Sequence, residues 1–379
     1  MKFIHLSDLH LGKRVNEFPM IEDQQYILAQ ILNAIDGERP DAVLLAGDIY
    51  DKTVPSTEAV QLFDDFLVGL AERKLQTFVI SGNHDSSERL AFANRLIDAS
   101  GVHLSSVYSG KITPVTLKDA FGEVDIYMLP FIKPAHVRRF FPEEPVETYT
   151  DAVRLAVREM KIDPEKRNVL IAHQFVTGAS RSDSEEVSVG GLDNVDASAF
   201  EGFDYVALGH IHSPQNVGTE RIRYAGTPLK YSFSEAKDQK SVTVFELKEK
   251  GALSVRTVPL VPLHDLKEIK GAYDEVVRRS FYEHTTYPDD YLHITLTDER
   301  DVPDAMAKLR TVYPRLMTLS YDNARTRAKN VVGKAEAAET KTPEELFAEL
   351  YEKQNGSPMT EEERTFLKRT IAKIWEEEV

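Results

Sequence analysis

Five short polar stretches of this 379-residue chain each follow a run of apolar, β-favouring residues. Asp8-Leu9-His10 follows Phe3-Ile4, Gly47-Asp48 follows Val43-Leu44-Leu45, and Gly82-Asn83-His84-Asp85 follows Phe78-Val79-Ile80. His173 follows Val169-Leu170-Ile171, and Gly209-His210-Ile211-His212 follows Tyr205-Val206-Ala207-Leu208. Runs of this length and composition predict buried strands, which places the polar residues at the carboxyl edge of an open α/β sheet, where such folds build their sites. A chain with this pattern is committed to α/β architecture with one polar edge.

The residue types gathered there are metal-ligating. Asp8 and His10, two apart, would point the same way on an extended chain and so serve one ion. Asp48 follows a glycine that permits close backbone approach, and its carboxylate has two oxygens with which to bridge two ions. Asn83 offers an amide oxygen, and His173, His210 and His212 offer imidazole nitrogens; a bend at 210–212 would divide the last two between ions. Seven donors exceed the need of one ion and suit two, so the sequence predicts a two-metal hydrolase. The mixed carboxylate, amide and imidazole set favours manganese or iron over calcium, with zinc and magnesium possible. His84 is read as free of the metals and available to substrate, with Asp85 fixing its tautomer or raising its pKa. Asp51 reads equally as a supporting acid or a catalytic one. The remaining histidines, His5, His103, His136, His264, His284 and His293, lack such company and read as structural or surface residues.

Composition narrows the classes. The chain has no cysteine, which excludes disulfides and thiolate metal sites. No apolar run reaches the roughly 18 residues of a membrane helix, and the N terminus shows no signal-peptide pattern, so a cytoplasmic protein with no membrane partner is expected. The formal charge of −16 argues against a general nucleic-acid coat and confines any DNA contact to local basic surface and bound cations. No G-x-x-x-x-G-K-[ST] loop occurs, so any ATP dependence must come from a partner.

Along the chain, helical spacing is read over Pro19–Ile35, Ser56–Arg73, Glu88–Ala99 and Thr150–Met160. Strands are read at 223–225, 241–247 and 253–258, and Pro259 and Pro262 mark a boundary. The divisions expected are 1–265 for the metal-binding domain, 266–331 for a small α/β unit, 332–341 for a linker and 342–379 for a helical pair. The small unit reads as a strand at 291–296, a helix at 302–312 and a strand at 316–321. Thr342-Pro343-Glu344-Glu345 and Thr360-Glu361-Glu362-Glu363 are capping boxes. They open helices with Leu346, Phe347, Leu350 and Tyr351, then Phe366, Leu367, Ile371, Ile374 and the single tryptophan Trp375, on their apolar faces.

These motifs resemble the calcineurin-like metallophosphoesterases, whose fold is a two-sheet sandwich flanked by helices. Over the whole chain, His5–Gly12, Ala46–Asp51, Ala207–His212, Tyr224-Ala225-Gly226-Thr227-Pro228 and Ser232-Phe233-Ser234-Glu235 resemble the SbcD family of bacterial nuclease subunits. The resemblance implies that Asp8, His10, Asp48 and His212 hold one metal. It implies that Asp48, Asn83, His173 and His210 hold the other, and that His84 protonates the leaving oxygen. It further implies a capping domain that faces DNA at 266–331, docking of 342–379 on the coiled coil of an SbcC-type ATPase, and a homodimer formed through N-terminal helices. One departure is visible: archaeal and eukaryotic relatives carry a second catalytic histidine where this chain has Asp51. The function expected is a manganese-dependent DNA nuclease, exonuclease on duplex ends and endonuclease on single strands or hairpins, in DNA recombination, replication and repair. The alternative is a stand-alone metallophosphatase or small-molecule phosphodiesterase.

Overall fold

A computed structural model describes residues 1–91, 98–105, 107–185, 193–324, 326, 342–355 and 358–377. The strands that matter to the site are β1 (Lys2–Leu6), β2 (Ala42–Ala46), β3 (Gln76–Ile80), β4 (Val102–Ser105), β5 (Val115–Asp119), β6 (Gly122–Leu129), β7 (Arg167–His173), β8 (Tyr205–Gly209), β9 (Gln215–Val217), β10 (Thr219–Tyr224), β11 (Ser241–Leu247) and β12 (Leu253–Pro259). They form two six-stranded sheets, ordered β12-β11-β1-β2-β3-β4 and β9-β10-β8-β7-β6-β5. β1, β2, β3 and β4 run parallel, as do β6, β7, β8 and β10.

The pleat explains why the strands read as unbroken apolar runs. Phe3, Leu44, Ala46, Phe78 and Ile80 of one sheet meet Val169, Ile171, Tyr205 and Ala207 of the other, with Phe245 stacked between Phe3 and Tyr205 at 4.7 and 3.8 Å. The alternate residues Ile4, Leu6, Val43, Leu45 and Val79 face outward onto α1 (Ile21–Glu38) and α2 (Thr57–Glu72). Leu170, Ala172, Val206 and Leu208 do the same onto α3 (Tyr149–Met160). With both faces covered, alternation of polarity disappears. His5 bridges the sheets inside this core, its ring 3.0 Å from the Tyr205 hydroxyl and 3.1 Å from the Leu208 carbonyl.

A third, wholly parallel sheet comprises β13 (Leu266–Gly271), β14 (Tyr291–Leu296) and β15 (Leu316–Tyr321). Its helix covers Ala305–Arg310 rather than 302–312, because Pro303 precedes a left-handed Asp304 that starts the helix late. Of the helix expected over 88–99, the described residues include a helical turn at Ser87–Leu90 and a 3-10 turn at Asp98–Ser100; residues 92–97 lie outside them. So does the expected linker, 332–341. α4 (Pro343–Asn355) and α5 (Glu361–Glu377) each begin with reciprocal capping bonds, between Thr342 and Glu345 and between Thr360 and Glu363. Phe347, Leu350 and Phe366 are exposed and Leu367 is buried. The side chains of Leu346, Ile374 and Trp375 lie outside the described residues. Among the described residues no helix is long and apolar enough to cross a membrane.

Candidate metal centre

All five polar stretches leave parallel strands at one edge, and the two sheets close on each other there. A Cβ on Gly209 would lie 1.9 Å from the Ala46 carbonyl oxygen, and one on Gly82 would lie 2.0 Å from Asp48 Oδ1. Only glycine admits so close an approach. The chain then turns sharply. Asp8, His10, Asp48 and His210 have φ of 52°, 45°, 48° and 102°, the left-handed region that side chains rarely adopt and that clusters at functional sites. The extended geometry expected for Asp8 and His10 is therefore corrected; the turn, not a strand pleat, brings them together. Backbone bonds from Asp8 to Gly47, His10 to Asp48 and Leu11 to Ile49, each 2.9–3.0 Å, lace the first two loops to each other.

The seven candidate ligands fall into two groups around Asp48. In one, His10 Nε2 and His212 Nε2 stand 3.1 Å apart beside Asp8, with the Asp48 carboxylate oxygen Oδ2 3.7 Å from His10 Nε2. In the other, Asn83 Oδ1 lies 3.0 Å from His173 Nε2 and 2.9 Å from His210 Nδ1, and the same Asp48 oxygen is 3.3 Å from His173 Nε2. The bend at 210–212 thus sends the two histidines to different groups. His84 also approaches, with Nε2 4.0 Å from Asp48 Oδ2, so that His10, Asp48 and His84 form a further set of nearby donors.

The donor set fits divalent cations. His173 Nδ1 donates to the Ala46 carbonyl at 2.8 Å, which leaves Nε2 as the ring position that faces the oxygens of Asn83 and Asp48. Two ligands at about 2.1 Å and right angles around a cation are about 3 Å apart, the spacing found here between His10 and His212 and between Asn83 and its two histidines. Electrostatics agree. Burial holds the pKa of His10 and His212 well below the ordinary histidine value and lowers that of His210 to about 3, so these rings are neutral. Burial also raises Asp8 to about 7. For His173 the carboxylates of Asp48 and Asp8 outweigh burial and raise its pKa to about 9. A proton occupies, in the bare chain, the position that a cation would fill.

Asp85 does not orient His84. It accepts backbone N–H bonds from Gly82, Ile49 and Tyr50 at 2.9–3.1 Å, tying the second and third loops together. His84 Nδ1 instead faces the Asp51 carbonyl at 3.1 Å. The Asp51 side chain pairs with Lys13 Nζ at 2.7 Å and stands 3.7 Å from His10 Nδ1. Two supporting groups gave no signal in the sequence reading. Gln24 donates to the His10 carbonyl at 2.7 Å and accepts from Gly12 N–H at 2.9 Å. Glu185 accepts the His212 N–H at 2.6 Å, with a carboxyl that burial raises to about 7. Neither lies within a motif, since both act through the fold.

Comparison with known proteins places this chain in a family. Residues 1–214 match the calcineurin-like phosphoesterases, and residues 262–355 match the type 5 capsule protein repressor C-terminal domain. The SbcD component of nuclease SbcCD from Staphylococcus epidermidis is 35% identical over 324 residues, 84% of this chain and 85% of that protein. This chain belongs to the SbcD family of calcineurin-like phosphoesterases. The SbcD component of nuclease SbcCD from Staphylococcus saprophyticus is 34% identical over 84% of this chain and 84% of that protein. A crystal structure of a dimetal phosphatase from Danio rerio aligns with 69% of this chain and 98% of its own, at 13% identity and a TM-score of 0.40.

Proposed function

We propose that this SbcD-family chain cleaves DNA phosphodiester bonds at a centre of two divalent cations, manganese by preference, as the nuclease component of a complex with an SbcC-type ATPase. The observation that carries the reading is the single Asp48 oxygen standing 3.7 Å from one nitrogen-rich group and 3.3 Å from the other, the arrangement of a bridging carboxylate. One group, Asp8, His10, His212 and Asp48, would hold one ion; Asp48, Asn83, His173 and His210 would hold the second. Bound there, such ions polarise phosphoryl oxygens and make a water nucleophilic at neutral pH.

The chain's own residues do the rest. Asp48 fixes the spacing of the two groups, and the loops zipped to it hold the donors in place before any substrate arrives. His84 keeps a proton on Nδ1 for the Asp51 carbonyl and presents Nε2 to the cluster. With water forming the new bond to phosphorus, no covalent link to the enzyme is needed, and the doubly protonated form of His84 gives its Nε2 proton to the oxygen whose bond to phosphorus breaks.

Exposed surfaces support the proposed partners. The exposed Phe347, Leu350 and Phe366 of α4 and α5 suit docking on a coiled coil. Exposed Val60 and Val68, eight residues apart on α2, suit a homodimer through that helix. The three-stranded sheet of 266–321 is read as the capping unit that faces DNA. The complete lack of cysteine suits a reducing cytoplasm. The test is cleavage of hairpin and blunt duplex DNA with manganese, with and without the co-expressed ATPase. Hydrolysis of small phosphate esters without any cleavage of DNA would favour the stand-alone phosphatase instead.

A further inference from the structure

The polar groups of His212 are engaged by residues far from it in sequence. Its Nδ1 lies 2.5 Å from Ser184 Oγ, its N–H reaches Glu185 at 2.6 Å, and its carbonyl accepts from Lys240 Nζ at 2.9 Å and from Thr227 N–H at 3.0 Å. Ser184 Oγ in turn donates to Glu235 Oε1, while the other Glu235 oxygen pairs with Lys240 Nζ at 2.5 Å. Glu235 is fully buried and Lys240 nearly so.

The direction of these bonds is set by valence. A carboxylate paired with a lysine is an acceptor only, so the single Ser184 proton is committed to Glu235. Ser184 Oγ must then accept from His212, which puts the ring proton on Nδ1. Nε2 is left as a lone pair, and it faces His10 Nε2 at 3.1 Å. The segment bearing Ser184 is itself docked, by paired bonds of 2.8 Å between Ser180 and Gln215 and by Asp183 N–H to Ser234 Oγ at 3.0 Å.

We propose that Ser184 and Glu235 are positioning residues for one of the two cations: together they fix the tautomer and the plane of the His212 ring and aim Nε2 at the position shared with Asp8, His10 and Asp48. This rests on the two-cation reading above. It extends that reading from the ligands to two residues that touch neither substrate nor metal. Outer partners of this kind are worth about 10- to 100-fold in metal affinity when removed.

The test uses the full chain stripped of metal, titrated with Mn2+ by calorimetry and followed by electron paramagnetic resonance. The parent is expected to take up two ions with a spin-coupled spectrum. Ser184→Ala is expected to weaken one ion by about 10- to 100-fold and leave the other unchanged, giving an isolated-ion spectrum at intermediate Mn2+. Ser184→Thr, which keeps the hydroxyl, is expected to restore the coupled spectrum. Parental affinity for both ions in Ser184→Ala overturns the proposal, as does equal weakening of both ions with a lowered melting temperature, which would mark general loosening. A parent that binds no ion overturns the two-cation reading and this proposal with it. Should Ser184→Ala not fold, 15N shifts of the His212 ring in the metal-free parent decide: protonation at Nδ1 is expected, and protonation at Nε2 overturns the proposal.

Discussion

The Asp23 carboxylate on α1 accepts a 2.8 Å hydrogen bond from the Tyr291 hydroxyl on β14, and both groups are buried. The same carboxylate takes the ring Nδ1 and the backbone N–H of His264 at 3.0 and 3.2 Å. Its neighbour Gln24 holds the His10 carbonyl. Two consecutive residues thus tie the third sheet on one side and a ligand-bearing loop on the other. Tyr291→Phe removes one donor from a buried charged acceptor and is expected to cost about 1–3 kcal/mol. Hydrogen exchange should show faster exchange along β13, β14 and β15 than in the parent, with β7 and β8 unchanged. Uniform acceleration would mean that the contact serves global stability instead.

Asp48→Ala removes the one oxygen that both donor groups approach. Manganese-dependent hydrolysis is expected to fall below detection and the metal content of the folded protein to drop from two ions to one or none. Elemental analysis alongside circular dichroism checks this, and two retained ions would dismiss the bridging role.

His84→Ala is expected to separate binding from rate. Its backbone N–H bond to Asp48 Oδ1, 2.9 Å, survives the substitution, so the donor groups keep their spacing. Metal content should remain parental while cleavage slows by about 100-fold or more, the usual scale for a lost general acid. A joint loss of metal would make His84 a ligand.

His5 predicts an acid sensitivity. Burial, with the charge of Arg223, lowers its pKa from 6.5 to about 3 despite the bond to Leu208. The unfolded chain therefore takes up the proton first, and the stability His5 contributes is whole above pH 6.5 and lost as the pH falls toward 3. Between pH 7 and 5 the loss is about 2 kcal/mol. Urea midpoints should fall further over that interval in the parent than in His5→Gln, whose metal ligands are the same. Equal falls would assign the acid response to other groups.

The sequence by itself determined the features that depend on neighbours along the chain. Unbroken apolar runs over Val43–Leu45 and Val169–Ile171 mark strands covered on both faces, and each forces the polar residue after it to the sheet edge. Threonine and glutamate three apart begin α4 and α5 because a helix start needs its N–H groups satisfied locally. Tertiary structure alone decided how the edge is wired. The left-handed turns at Asp8, His10 and His210 override strand alternation, so spacing could not say that His210 joins Asn83 while His212 joins His10. Asp85 adjoins His84 along the chain, yet the turn aims it at the N–H groups of Ile49 and Tyr50. Gln24, Ser184 and Lys240 become part of the site only because α1, the segment at 180–185 and the return to β11 converge on one edge. Strand and helix formation is set by short-range sterics and burial pattern; the direction in which a buried polar group finds its partner is set by long-range packing, which no local window of residues contains.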